Sequence, residues 1–138
     1  MPTNYKHTDF DIDFNKNSFT NDFSLRHDSN SVRQSIMNIV LTRKGEKPFN
    51  REFGVGMHDY LFESLSPTDF AILEMDISEE VSSREPRATI ESVEINDAQT
   101  EIQSDNNNLI VNINYFVNKG TQATPELESL RIEIAKVR

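Results

Sequence analysis

The sequence predicts an α+β fold, a small antiparallel sheet with helices packed on one face. Three observations carry that expectation. Apolar residues recur at helical spacing in two stretches before Pro86. They alternate at period two in three stretches after it. Helical and strand patterns are therefore segregated along the chain, the order of an α+β domain rather than of interleaved units. The chain has 138 residues, the length of one domain. A chain of that size buries roughly two thirds of its unfolded surface, enough for a real core. The expected division is one domain over 1–138, with an extended arm at 1–24 and an α+β core at 25–138.

Each element has its own signal. In the arm, Phe10, Ile12 and Phe14 alternate with acidic residues, as in a half-exposed strand. Phe19 and Phe23 follow at wider spacing. The segment reads as an extended arm with aromatic anchors, or as a loosely ordered terminus with a short edge strand. SNSVRQSIMNIVLT predicts a helix over 31–42, with Ser31 and Gln34 spaced as a capping box and Val32, Ile36, Ile39 and Val40 as its apolar stripe. LTRKGEKPFNREFGVGM then interrupts any helix with Gly45, Pro48, Gly54 and Gly56. HDYLFESL predicts a helical turn carrying Tyr60, Leu61 and Phe62. Ser66 is a good N-cap, Pro67 suits the first helical position and Asp69 favours the positive end of the dipole. Phe70, Leu73, Ile77 and Val81 face one way; Glu74, Asp76, Glu79 and Glu80 mark the wet side. Pro86 stops this helix near Arg84.

Past Pro86 the period changes. Val93 and Ile95 are in step but Ile90 is out of phase, which predicts a bulge or a start buried on both sides. SDNNN is turn chemistry. Leu109, Val111, Ile113, Tyr115 and Val117 share a face of the next strand, with Ile110, Asn112, Asn114 and Phe116 opposite. The two strands form a long hairpin. KGTQATPE is a loop, and ESLRIEIAKVR a third strand in which Leu130, Ile132 and Ile134 alternate with Arg131 and Glu133.

Composition excludes several function classes. There is no cysteine, so disulfide and thiolate chemistry are absent. His7, His27 and His58 lack ligand spacing, and no metal or other cofactor is expected. The net charge of −9 repels phosphate backbones, against nucleic-acid binding. No apolar run reaches the roughly 20 residues of a membrane helix, so no membrane role is expected. The polar, acidic N-terminus does not read as a secretory signal. Glu52 and Asp59 could be imagined as a glycoside-cleaving pair, but among 23 acidic residues some pair always looks suggestive. A structural role is the stronger expectation.

Three segments are candidates for function. The loop at 41–57 offers Phe49 and Phe53 as apolar pegs, glycines for turns, and a basic edge of Arg43, Lys44, Lys47 and Arg51. It lacks the Walker pattern. In Glu85-Pro86-Arg87, extended geometry puts the carboxylate and the guanidinium on one side. They can pair with each other or reach a partner. The terminal strand can close its own sheet or accept a strand from another chain.

Taken together, TRKGEKPFNREFG, YLFESLSP, a helix ending in EPR and a strand hairpin resemble the baseplate wedge family of contractile phage tails. The likeness runs from about residue 31 to 117 and is nearest the T-even-like phage proteins; the family has a relative in the type VI secretion baseplate. It implies a non-enzymatic virion component at the tail baseplate, assembled in the host cytoplasm, with a fold like the core of the tail sheath protein. Implied partners are the core bundle of other wedge subunits, the tail sheath protein, and the tail tube or hub proteins. The family tripeptide falls on Glu85, Pro86 and Arg87, which it implies contact the wedge bundle. The loop motif falls on Arg43, Gly45, Pro48, Phe49, Glu52, Phe53 and Gly54, implied to frame that contact. Leu130, Ile132 and Ile134 mark the strand implied to meet the first sheath subunits. On this expectation Arg87→Ala leaves the isolated chain folded and stops wedge assembly. The alternatives are a type VI secretion baseplate component or a lysozyme-like glycoside hydrolase.

Overall fold

The structure, a computed structural model, describes residues 7–61, 65–97, 108–118 and 125–135. Its order is β1 (Thr8–Phe10), β2 (Leu25–His27), α1 (Ser29–Leu41), α2 (Met57–Tyr60), α3 (Pro67–Arg84), β3 (Ala88–Asp97), β4 (Asn108–Val117) and β5 (Glu126–Ala135). The three long strands form one antiparallel sheet in the order β3-β4-β5. This is the α+β architecture that segregated patterns predict. The turn expected at 104–107, the loop at 119–124 and Phe62 lie outside the described residues.

The α1 stripe is where helical spacing puts it: Val32, Ile36, Ile39 and Val40 are all buried. The start of the helix differs from expectation. It begins at Ser29, and the Ser31–Gln34 capping box does not form. Instead the Asp28 carbonyl accepts from Ser31 N–H, Val32 N–H and, at 2.8 Å, the Ser31 hydroxyl. Gln34 turns to the arm. Its Nε2 donates to the Phe10 carbonyl at 2.6 Å and its Oε1 accepts from Ile12 N–H at 3.1 Å. A buried amide needs both a donor and an acceptor, and the extended arm supplies the pair that one helix N–H cannot.

The described part of the arm, residues 7–24, is therefore not simply extended. It folds back as a hairpin, Thr8 opposite His27 and Phe10 opposite Leu25, with a further bridge between Lys16 and Phe23. Buried Asp11 ties it together by accepting from Arg26 at 3.1 Å. The expected anchoring is reversed: Phe10, Phe14, Phe19 and Phe23 are exposed, and polar groups fix the hairpin to α1.

Helix α3 starts as its sequence dictates. Ser66 and Asp69 exchange side-chain-to-backbone bonds in a capping box, with Pro67 at the first position. Leu73, Ile77 and Val81 are buried, and Phe70 packs against the core. Asp76 and Glu79 are exposed as expected. Glu74 and Glu80 are not merely wet. Glu74 accepts from Ile95 N–H at 3.0 Å, joining α3 to β3, and Glu80 accepts from Gly54 N–H at 3.1 Å, joining α3 to the loop.

In the sheet the register slips between Ile90 and Ser92, so Glu91 is the bulge that the out-of-phase Ile90 predicts. Beyond it Val93 and Ile95 pair with Ile113 and Val111. The face of β4 formed by Leu109, Val111, Ile113, Tyr115 and Val117 joins Leu130, Ile132 and Ile134 of β5 in the core beneath the helices. The Tyr115 hydroxyl meets Glu128 at 3.2 Å; burial, then that carboxylate, push the phenol pKa well up.

Gln34→Ala should leave the Phe10 carbonyl and Ile12 N–H without their partner at a cost of about 1–3 kcal/mol. Amide exchange in 8–27 should accelerate far more than in the β3-β4-β5 sheet. Equal acceleration of both would show that Gln34 does not hold the arm.

Candidate protein interface

The tripeptide sits at a junction built by α3. The helix ends by donating Glu85 N–H to the Val81 carbonyl at 2.8 Å, and Pro86 prevents its continuation. Ala88 N–H returns to the Glu85 carbonyl, and Asn118 N–H, just past β4, donates to the Arg87 carbonyl at 2.8 Å. These bonds fix the backbone on both sides of the pair. Glu85 Oε1 and Oε2 then accept from Arg87 Nε and Nη2, each at 2.6 Å, in a bidentate fork. Arg87 Nη1 lies 3.5 Å from the Ser31 hydroxyl.

Of the two geometries open to the sequence, the structure takes the internal pair. The Glu85 side chain is only 3% exposed and Arg87 28%. Glu85 therefore does not project toward a partner. Burial opposes its charge, but bonds from Arg87 and Ser35 outweigh that and hold its carboxyl below the ordinary range. Glu85, then burial acting in the opposite sense, set the Arg87 guanidinium, whose net shift is upward. Two of the five N–H groups of Arg87 go to Glu85 and a third to Ser31, on a cation that is locked in direction and 28% exposed. The expectation that Arg87→Ala leaves the chain folded therefore gains a cost in stability. Removing the guanidinium strands a buried carboxylate.

The loop at 41–57 is bolted to the same end of the molecule. Val55 N–H reaches the Ile39 carbonyl, Gly56 N–H the Thr42 carbonyl, and Gly45 N–H the Arg51 carbonyl. Arg84 Nη2 contacts the Glu52 carbonyl at 3.5 Å, and Arg84 Nε pairs with Glu80 at 3.0 Å, one turn before the tripeptide. Gly54 has φ +100, and a Cβ there would stand 2.2 Å from the Thr42 carbonyl oxygen, so only glycine permits the crossing. Phe53 packs against the core, with Lys47 Nζ 3.9 Å above its ring and the Arg84 guanidinium 5.9 Å away. Phe49 corrects the notion of two buried pegs: it is fully exposed at φ 63, a conformation that a bulky side chain rarely adopts. Arg43 pairs with Asp59 at 3.4 Å, and its N–H bonds Glu46. Lys44, Pro48 and Arg51 are exposed, and Gly45 has open space where a Cβ would be.

Asp9, Ser35, Asn38, Thr42, Lys47, Phe53 and Arg84 line an open cleft of about 580 Å³ between the arm, α1, the loop and α3. Its Ser35 is the hydroxyl that bonds Glu85. The structure thus brings the loop motif and the tripeptide to one region. It does not bring Leu130, Ile132 and Ile134 there. Those side chains are in the core, and what β5 exposes is its outer edge and alternate face. Sequence reasoning missed Ser31, Ser35 and Glu80 as supports; only the Glu80–Arg84 spacing carried a signal. Among the described residues no group of three or more His, Asp or Glu is placed to hold a metal ion, and no helix is long and apolar enough to cross a membrane. Asp59, one of the imagined catalytic carboxylates, is engaged by Arg43.

Stability should fall on acidification with a limb owed to Glu85. Its folded pKa is lowered, so its contribution is complete above about pH 4.5, the ordinary glutamate value, and fades as pH drops through the folded value. Thermal unfolding across pH should show a shallower acid limb in Glu85→Gln. Arg87→Ala should lose about 3 kcal/mol at neutral pH. An unchanged melting temperature in Arg87→Ala would show the pair to be structurally idle.

Comparison with known proteins places this geometry. A structure described as a tail lysozyme from Geobacter sulfurreducens is 25% identical, with a TM-score of 0.63 over 78% of this chain and 90% of that one. A baseplate chain of the anti-feeding prophage, 24% identical, shares the fold with a TM-score of 0.67 over 84% of this chain and 89% of its own. Baseplate wedge protein gp25 of Enterobacteria phage T4 is 31% identical over 105 residues, 76% of this chain and 74% of that protein. The family sequence model described as baseplate wedge protein gp25 matches residues 26–122, from within β2 through the β3–β4 pair and including both the loop and the tripeptide. The chain belongs to the gp25 baseplate wedge protein family.

Proposed function

We propose that this chain is a non-enzymatic wedge subunit of a contractile phage-type tail baseplate, acting as one domain within the virion. It anchors to the helical core bundle of other wedge subunits through Arg87, with Glu85 as its positioning partner. The observation that carries this reading is the fork at the end of α3. A partly exposed guanidinium held by a buried carboxylate, with N–H groups beyond those spent on Glu85 and Ser31, is a preorganised contact for acceptors on another chain. The loop supports it from the side. Gly54 and the bonds from Glu80 and Arg84 hold rigid a loop that exposes Lys47, Arg51 and Phe49 beside the shared cleft. Strain stored at an exposed Phe49 is of the kind that contact residues keep.

The same reading makes the subunit a platform for the first sheath ring. In the order β3-β4-β5, β5 is an outer strand whose inward residues Leu130, Ile132 and Ile134 pin its register. An edge so fixed suits strand addition by a sheath subunit through main-chain bonds. Deleting 128–138 would remove core residues as well as the edge, so it would not test this role cleanly. The tail tube or hub proteins are further candidate neighbours, and the likeness to the sheath core remains part of this proposal. A type VI secretion baseplate is the second reading, favoured by the same family signature; neighbouring tail-tube and wedge genes distinguish the phage system.

Replacing the whole pair separates anchoring from folding. Swapping a buried ion pair for apolar residues of similar size is often neutral for stability. Glu85→Met/Arg87→Met should therefore melt within a few degrees of the parent yet fail to enter wedges, as read by co-sedimentation with the other subunits. Normal incorporation of a folded double variant would sink the anchoring role. Purified protein should release no peptidoglycan fragments; release that disappears in Glu52→Gln would establish the hydrolase reading instead.

A further inference from the structure

Exposed large apolar side chains are concentrated in the N-terminal hairpin formed by the arm and β2. Phe10, Ile12, Phe14, Phe19, Phe23 and Leu25 make up six of the ten exposed large apolar residues among the described residues. Three of them form a cluster: the Phe23 ring is edge-on to Phe10 at 6.3 Å and to Phe14 at 6.1 Å. A patch of that kind on a folded surface marks an interaction site more often than chance exposure does.

The arm holds this patch in place. Gln34 bonds both Phe10 and Ile12 backbone groups, buried Asp11 clamps Arg26, and Asp11 N–H reaches the Ser24 carbonyl. Phe14 has φ 49, closed by its own N–H to the Asp11 carbonyl at 3.0 Å. Asparagine or glycine would sit there with less strain. A bulky aromatic residue retained at a strained, exposed turn points to a use for the ring.

Charge narrows the partner. Between residues 7 and 25 the acids are Asp9, Asp11, Asp13 and Asp22, and the one cation is Lys16. With Asp11 paired to Arg26 and Asp9 lining the cleft, the charges left next to the cluster in sequence are Asp13, Asp22 and Lys16, a net acidic set. A second copy meeting this face across a two-fold axis would oppose acid to acid. Anionic lipid would be repelled for the same reason. What fits is a chain with apolar side chains for the rings and Lys or Arg for the acids.

We propose that the aromatic face of the arm is a docking surface for a basic, amphipathic segment of another protein. This surface is distinct from the anchor at Arg87 and does not depend on it. The family sequence model begins at residue 26, so nearly all of the patch lies before the shared region. The arm reaches the shared cleft through Asp9, and its partner would lie next to whatever occupies that cleft.

The test uses the full chain and two labelled peptides, one built of leucine and lysine and one of leucine and glutamate in the same helical pattern. Fluorescence anisotropy should show binding of the lysine peptide and none of the glutamate peptide. Phe14→Asn/Phe23→Ser should weaken that binding at least roughly tenfold, and Asp13→Lys/Asp22→Lys should do the same. Phe14→Asn alone should bind less well while melting no lower than the parent, which separates use of the ring from its place in the fold. Equal binding by the phenylalanine double variant would reduce the effect to general attraction by an acidic protein and overturn the proposal. So would failure of the lysine peptide to bind, self-association abolished by Phe14→Asn in sedimentation, or capture of the chain by phosphatidylserine vesicles.

Discussion

A carboxylate taken out of water must be met by a cation and by hydrogen bonds, or it stays neutral. Glu85 is that carboxylate, and its needs organise one end of the molecule. Arg87 answers it with a planar fork, Ser35 of α1 with a hydroxyl, and the Arg87 backbone N–H with a longer bond at 3.3 Å. Because the backbone on either side is tied to α3 and to the end of β4, the junction joins both long helices to the sheet. The charge of Glu85 is therefore balanced inside the chain, and only the guanidinium stays partly exposed.

The loop depends on the same end of α3. Glu80 and Arg84 lie in the last turns of α3, just before Glu85, and each bonds loop backbone as well as the other. The loop can approach so closely because Gly54 has no side chain where the Thr42 carbonyl passes. Its rigidity thus comes from backbone bonds and one aromatic ring capped by cations, not from burial of both phenylalanines. Rigid loops on a packed scaffold are the usual carriers of recognition, and this one stands beside the junction that fixes Arg87.

Two kinds of surface result. The region matched by the family holds charged and main-chain groups braced by a core, the fork and the loop. The arm, almost entirely before that region, presents aromatic rings on a polar scaffold. In the first, the apolar residues face inward and stabilise; in the second they face outward, and Asp11, Arg26 and Gln34 do the stabilising. Phe14 and Phe49 show the same departure, each a strained ring exposed at a turn.

Periodicity alone determined much of the fold. The apolar stripe of α1, the capped start and proline stop of α3, the bulge near Ile90 and the inward face of β4 and β5 are all local consequences of side-chain spacing, which is why they are legible without a structure. The loop motif and the tripeptide were also visible as residues. Their partners were not. Whether Glu85 faces Arg87 or another chain, whether Gln34 caps its own helix or grips the arm, and whether Phe49 is a peg or a tip are each decided by groups far away in sequence. Bonds between distant residues compete on burial and geometry, and only the folded chain brings the competitors within reach of one another.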